Sequence, residues 1–396
     1  MPSRKQIYFA FIGDLEEHNV REACQGAAEY AATRPGLVLD PWSTYPGRTE
    51  RSTLDDLKKR ADGLLIAERD LRELCGKSAR LTKPHVFYLA NEPHRRTLAV
   101  ALDERAIGRM AAEHLMQRGY RHLAFFGLPD LAWARERGEG FFAAAAERGV
   151  PVQCHEVLSS VLRTYRPRHL KEHHASLPGA LLSLPSPCGI FAAHDVGACY
   201  IIQAARELGL GIPEPFGVVG VDDDPIANAA AGMGITSVQV PFREAGWRAA
   251  ELLDAMVRGE HPAPPPLLQP MRVIARASTN AFMVEDPLLR KALALIERQR
   301  GTRLTVQEVA QELRTNPVTL NQRFQHHLKT TPATYILQRR FEYAKDLLRS
   351  GKLTVEEVSD TCGFHDVSYF CTVFKRATGT TPGSWRPLIA PNRMTI

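Results

Sequence analysis

The chain has 396 residues, 44% of them hydrophobic and 24% charged, the composition of a globular protein of two or three domains rather than a disordered or collagenous one. No apolar run approaches the roughly 20 residues of a membrane helix, and seven scattered cysteines, an odd number, point to free thiols in a reducing cytoplasm. The net charge of +6 is unevenly placed: residues 288–396 carry 17 Lys and Arg against 9 Asp and Glu, whereas residues 1–287 carry 33 against 35. A basic tail on a slightly acidic body suits a polyanionic partner, most simply nucleic acid. A well-solvated helical domain is the alternative on charge alone.

The first 280 residues alternate apolar runs with helix-patterned stretches. "QIYFAFIG" (6–13), "GLVLD" (36–40), "DGLLIA" (62–67), "HVFYLA" (85–90), "HLAFFGL" (122–128), "CGIFAA" (188–193) and "FGVVGVD" (216–222) read as buried strands. The basic-then-apolar start could suggest a signal peptide, but Asp14, Glu16 and Glu17 interrupt it before any cleavage site. Helices are predicted at 104–119 and at 195–209, the latter with apolar residues every three or four positions. Strand-helix alternation implies parallel sheets covered on both faces, in two lobes, with ligands bound where strand C-termini face each other. The Pro-rich "HPAPPPLLQP" (261–270) reads as a surface connection to a last strand at 271–278, and "TNAFMVEDP" (279–287) as a linker.

From Leu288 the pattern is helical and repeats. "LTVQEVAQELRTNPVTLNQRFQHHLKTTPATYI" (304–336) aligns with "LTVEEVSDTCGFHDVSYFCTVFKRATGTTPGSWR" (353–386), with one residue inserted in the second copy. Each copy has helix-turn-helix grammar. Thr305 and Thr354, with Glu308 and Glu357 three residues on, have capping-box spacing, and Pro317 suits a first helical turn. Residues 333–351 between the copies form one amphipathic helix. In the second copy Gly363 permits the turn, and Phe364, Phe370 and Phe374 form a buried stripe, which leaves the polar residues to face a major groove. Cys362, His365 and Cys371 lack a second ligand cluster, so no metal is expected there.

This arrangement, over residues 288–390, resembles the AraC/XylS family of bacterial transcription regulators. The family often has Arg where this chain has Thr372. In the first 280 residues, "DGLLI", "AEHLMQRGYRHLAFFG", "RGEGFFAAAAERG", "AAHDVGA", "VVGVDDDP" and "ITSVQVPFREAGWRAAELL" together resemble LacI/GalR regulators and type I periplasmic sugar-binding proteins. LacI regulators carry DNA-binding helices ahead of their first strand; here that strand begins at Gln6, and the C-terminal domain is expected to replace them. The resemblances imply a two-lobed α/β periplasmic-binding-protein-like (type I) domain at 1–280, a linker at 281–287, and an all-α double helix-turn-helix domain at 288–390.

The domain order is similar to that of bacterial xylose-operon regulators. It implies a cytoplasmic homodimer that binds D-xylose or a related sugar and double-stranded operator DNA, and that activates transcription with RNA polymerase. No cofactor, metal or membrane is implied. A sugar asks for fork-like donors, acceptors and an aromatic face. Arg137, four residues before Phe141, matches the sugar-clamping arginine of the family, and Asp195 and Asp222 sit where its members bond hydroxyls. Asp14, Glu68, Arg69, Trp133 and His194 are further candidates, and Asp223 and Asp224 read as turn residues. On the DNA side, family spacing points Val318, Thr319, Asn321 and Gln322 outward in the first unit, and Ser368 and Thr372 in the second. His365, Lys375 and Arg376 are expected near phosphates. Two further readings fit: the same architecture sensing another sugar, and a constitutive DNA binder whose first domain only dimerises. An enzyme is not expected, because "LCGKS" (74–78) lacks the leading glycine of a phosphate loop and G-x-S-x-G, G-x-G-x-x-G after a strand and H-E-x-x-H do not occur.

Overall fold

The computed structural model describes residues 6–43, 59–67, 81–89, 98–128, 131–155, 177–299, 302–364 and 366–385. The chain divides into two compact units, Met1–Gln117 with Arg121–Asn280, and Arg118–Tyr120 with Ala281–Ile396.

The first unit has two sheets. In the first lobe β1 (Ile7–Gly13), α1 (His18–Ala32), β2 (Leu37–Ser43), β3 (Gly63–Ala67), β4 (His85–Tyr88) and β5 (Ala99–Val100) give the order β2-β1-β3-β4-β5. Every pair is parallel. Strand β1 shows why its sequence is apolar throughout. Phe9 and Phe11 enter one core with Val20 and Ala23, while Ala10 and Ile12 enter another with Leu64 and Phe87. A strand covered on both faces has no polar side to display.

The second lobe contains α2 (Glu104–Gln117), β6 (Leu123–Phe126), α3 (Ala132–Ala146), β7 (Val152–His155), β8 (Cys188–Ala192), α4 (Asp195–Glu207), β9 (Phe216–Val221), α5 (Pro225–Ala231) and β10 (Thr236–Gln239). After β10 the chain crosses into α6 (Phe242–Val257), which packs on the first lobe, and returns to β11 (Arg272–Ile274). The sheet order is β11-β10-β9-β8-β6-β7, with β11 antiparallel to its neighbour. The crossings after β5 and before β11 run side by side: the Asp103 amide donates to the Leu268 carbonyl (2.9 Å) and the Leu268 amide to that of Ala101 (2.9 Å).

The predicted last strand, 271–278, is shorter than expected. Polar side chains pull its second half into a 3₁₀ turn, Ala277–Thr279. The Ser278 hydroxyl donates to the Val218 carbonyl at 2.6 Å, and the Thr236 amide donates to Ser278 Oγ at 2.8 Å. Both Ser278 and Thr279 are fully buried, so their hydroxyls must find such partners.

The second unit contains α7 (Pro287–Arg298), α8 (Val306–Glu312), α9 (Pro317–Leu328), α10 (Pro332–Ser350), α11 (Val355–Thr361) and α12 (Val367–Thr378). The repeat in sequence is a repeat in structure. Thr305 and Thr354 form complete capping boxes with Glu308 and Glu357, and Asn316 and Asp366 cap α9 and α12 in equivalent positions. The turn residues also correspond, for Arg314 and Gly363 both have positive φ, 52° and 70°. The first copy thus spends an ordinary side chain on a conformation that suits glycine. Helix α10 belongs to both cores, giving Tyr335 and Ile336 to the first, and Phe341, Ala344 and Leu348 to the second.

The segment 281–287, read from sequence as a linker, is part of this unit. Phe282 and Val284 are buried in its first core. The Arg290 guanidinium donates to the Val284 carbonyl at 2.8 Å, and Asp286 caps α7. A fragment of residues 281–390 should therefore outlast one of residues 288–390 in urea. Losing two buried apolar side chains is expected to cost about 3–5 kcal/mol, which denaturation followed by circular dichroism measures.

Candidate ligand cleft and DNA-reading helices

Arg137 sits on α3 one turn before Phe141, whose ring packs against Phe191 (centroids 5.0 Å apart) and Phe125 (6.2 Å). Helices α2 and α3 touch through their backbones. A Cβ on Gly108 would overlap the Arg137 carbonyl, and one on Gly140 would overlap that of Arg105. Small residues at the crossing thus fix where Arg137 starts. Its buried guanidinium is then held by three groups. Nε donates to Glu104 Oε2 at 2.6 Å, Nη1 donates to the Ala193 carbonyl at 2.6 Å, and the guanidinium carbon lies 4.6 Å from the Trp133 ring centroid. Among the described residues Nη2 carries no hydrogen bond, so the fork keeps donors for another molecule.

Asp222 follows β9 and faces this arginine, with Oδ1 3.7 Å from Nη1. That is beyond hydrogen-bond reach but well within Coulomb reach. Oδ1 is buried and has no hydrogen-bond partner among the described residues. The backbone here is unusual: Asp222 and Asp223 have φ of 105° and 57°, a strained region that clusters at functional positions. Burial pushes the Asp222 carboxyl up to about 7; Arg137 pulls it down, while Glu104, Asp224 and Glu17 push it up. Glu17 is the N-cap residue of α1. One charge of the first lobe therefore acts on the Asp222 carboxyl of the second.

Other candidates fall around this pair in different roles. Asp195 has no exposed surface; its Oδ2 accepts from the Ser237 hydroxyl and the Asp224 amide, both at 2.9 Å. It ties α4 to β10 and to the loop that carries Asp222. Burial first, then the nearby Asp222 charge, pushes its carboxyl well above the usual range. His194 caps α4, accepting from the Gly197 amide through Nδ1 (3.3 Å), and its ring is 6.0 Å from that of Trp133. Asp14, buried just past β1, accepts from the Glu16 amide at 3.0 Å. Asp223 pairs with Arg276, and Asp224 caps α5, as turn residues do. Glu68 and Arg69 lie outside the described residues. Glu104, which holds Arg137, carried no signal in sequence beyond its place at the start of a helix. Glu17 carried none.

On the helical unit, Leu320 and Phe324 of α9 and Phe370 and Phe374 of α12 are fully buried. The opposite faces display Val318, Asn321 and Gln322, with Thr319 half-buried, and Ser368, Thr372, Lys375 and Arg376. The Thr372 hydroxyl donates to the Ser368 carbonyl at 2.9 Å, which occupies its proton locally. His365 lies outside the described residues. Tyr369, 58% exposed between two named positions, was not singled out in sequence because its neighbour Phe370 is core. Cys362 is buried, and its thiol is pushed up to about 12 by that burial, which suits packing and not nucleophilic chemistry.

A two-lobed periplasmic-binding-type unit followed by paired helix-turn-helix elements defines an effector-responsive DNA-binding regulator. The profile of a periplasmic binding protein-like domain matches residues 112–279, and that of a helix-turn-helix domain matches residues 309–387. The chain is 30% identical over 291 residues to the xylose operon regulatory protein of Haemophilus influenzae, covering 72% of this chain and 74% of that protein. It is 29% identical over 378 residues to that of Escherichia coli K12, covering 92% and 93%. A solved structure described as the xylose-binding transcription activator xylR superposes with a TM-score of 0.59 at 25% identity, covering 97% of this chain and 98% of that one. The chain belongs to the family of xylose operon regulatory proteins. It is a transcription regulator and not an enzyme. Among the described residues no helix is long and apolar enough to cross a membrane.

The raised carboxyl of Asp222 has a consequence for stability. Its ordinary value in an unfolded chain is about 3.9, below that in the fold, so the folded state holds the proton more tightly. Stability contributed by this group is full below the unfolded value and is lost as pH rises through about 7. Scanning calorimetry should show the first unit melting earlier as pH rises from about 5 to about 8. Asp222→Asn should flatten part of that slope, and Asp195, shifted in the same direction, should retain the rest.

Proposed function

We propose that the protein is a D-xylose-responsive transcription activator, acting in the cytoplasm as a homodimer on double-stranded operator DNA with RNA polymerase. The names of its relatives support xylose as the effector. The observation that carries the site is Arg137, buried and fixed by Glu104, the Ala193 carbonyl and Trp133, with the orphan Asp222 Oδ1 beside it. Arg137 Nη2 donates to sugar oxygens and Asp222 Oδ1 accepts from a sugar hydroxyl. Asp14 faces the sugar from the first lobe, while Asp195 and His194 shape the loops. Trp133 carries the guanidinium on its ring rather than offering that face to the sugar. Closing the lobes brings carboxylates of both onto the ligand, and the side-by-side crossings at Asp103 and Leu268 act as the hinge. By linkage, whatever factor the sugar adds to DNA affinity, DNA adds to sugar affinity.

On DNA, α9 reads sequence and α12 anchors. Asn321 and Gln322 can pair both edges of adenine in the major groove, whereas Ser368 and Thr372 are short and offer single bonds. Lys375 and Arg376 meet phosphates, and the exposed Tyr369 lies on the same helix.

Titration calorimetry with a panel of pentoses and hexoses tests the effector. D-xylose should bind tightest, and Arg137→Ala and Asp222→Ala should each weaken it by about 10- to 1000-fold, because each strands a buried polar partner. Wild-type curves for both variants would remove the cleft assignment. Selection on randomised duplexes tests the division of labour. Asn321→Ala and Gln322→Ala should relax base preference in one half of the site, while Lys375→Ala should weaken all duplexes alike and reduce the salt dependence by about one unit. Loss of specificity with Thr372→Ala but not with Gln322→Ala would reverse the roles.

A further inference from the structure

Helix α9 carries a single Lys or Arg, Arg323, and that charge is already engaged. Its Nη1 lies 3.0 Å from Asp286 Oδ2, and His327, one turn on, places Nε2 3.9 Å from the same oxygen. Asp286 is not on a DNA-reading element. It is the N-cap of α7, where its other oxygen, Oδ1, accepts from the Leu289 amide at 2.8 Å. The two oxygens do separate work: one closes a helix end, the other faces α9.

The geometry of α9 gives this pair its meaning. At about 100° per residue, Leu320 and Phe324 mark the buried face, Gln322 lies opposite it, and Arg323 lies on the flank. A reading helix in a major groove has the backbone strands along its flanks, so a flanking arginine meets phosphate. Arg323 is half exposed, at 50%, and Asp286 only 9%. The arginine has open approach from outside while the carboxylate stays fixed at its cap. The second reading helix contrasts with this. Among the described residues neither Lys375 nor Arg376 of α12 is in an ion pair, although both are exposed.

We infer that Asp286 stands in for a DNA phosphate on Arg323, restraining the first reading helix until DNA displaces it. The inference rests on α9 being a DNA-reading helix. DNA binding exchanges the Asp286 carboxylate for a phosphate oxygen, so part of the electrostatic gain from Arg323 is cancelled by the pair that must open. Asp286 is a positioning residue here, and Arg323 the contact. Because Asp286 stands six residues past Asn280, the last residue of the first unit along the chain, the restraint sits on the segment through which the chain enters the helical unit.

The test uses the full chain and a duplex that the wild-type protein selects from a randomised pool, with affinity measured by fluorescence anisotropy across a salt series. Asp286→Asn keeps a capping side chain and removes the charge. It should bind about two- to fivefold tighter, the worth of a partly exposed ion pair. Arg323→Gln should bind more weakly, with a salt dependence smaller by about one unit. In the Arg323→Gln background, Asp286→Asn should add nothing, since the pair it releases is gone. Thermal melts accompany each variant, and Asp286→Ser, another capping residue, replaces Asp286→Asn if the latter melts early. Unchanged affinity in a folded Asp286 variant overturns the restraint, and weaker binding makes Asp286 an orienting group instead. An unchanged salt dependence in Arg323→Gln removes the phosphate contact. If the wild type selects no duplex at all, the DNA-reading assignment of α9 itself fails, whereas a selected duplex with indifferent variants leaves that assignment standing and removes only the restraint.

Discussion

The buried guanidinium of Arg137 is the constraint around which the second lobe is arranged. A charge taken out of water must be matched by fixed partners, and here the partners come from separate elements: Glu104 from α2, the Ala193 carbonyl from the end of β8, Trp133 from the first turn of α3. Satisfying one side chain therefore sets the distance between a helix pair and a strand end. Asp222 completes the surroundings without completing a hydrogen bond. The result is a cationic group held rigidly, beside a carboxylate whose own backbone is strained. As the proposed sugar site, this pair is ordered in advance of its ligand, which lowers the entropy lost on binding.

Asp195 performs a complementary task one layer deeper. Its carboxylate receives the Ser237 hydroxyl and the Asp224 amide, while Asp224 in turn caps α5. Three consecutive aspartates after β9 thus divide into one facing the cleft, one paired with Arg276 and one at a helix end. Residues that look equivalent as a run are separated by the direction each peptide turns.

Much of the architecture was legible because the physics that forms it is local. Buried strands such as 216–221 and helices such as 195–207 announce themselves by apolar runs and by three- and four-residue spacing, and the capping boxes at Thr305 and Thr354 were visible as Thr-x-x-Glu. Strands β5, β7 and β10 were not: β5 has only two residues, and β7 and β10 are short and partly polar. The last strand was overestimated because Ser278 and Thr279 bond to β9 and β10, partners that are distant in sequence. Phe282 and Val284 read as linker because the apolar run 281–284 is only four residues long, too short to show a period, and is followed by Glu285, Asp286 and Pro287; their burial depends on helices that follow. At the cleft, Arg137 and Asp222 were named through family phrases, whereas Glu104 became visible only once α2 brought its carboxylate to the Arg137 guanidinium, and Glu17 only through its charge acting on Asp222.

Helix α10 is a member of two hydrophobic cores at once, with Tyr335 and Ile336 serving one and Phe341, Ala344 and Leu348 the other. Neither helix-turn-helix copy can be completed without it. Damage to either core reaches the shared helix, so the two cores are coupled in stability while each keeps its own buried cluster. A lesion in one copy would then loosen the hold of the other on its half of a site as well. Duplication, in this chain, yields two copies of a motif joined by one shared helix.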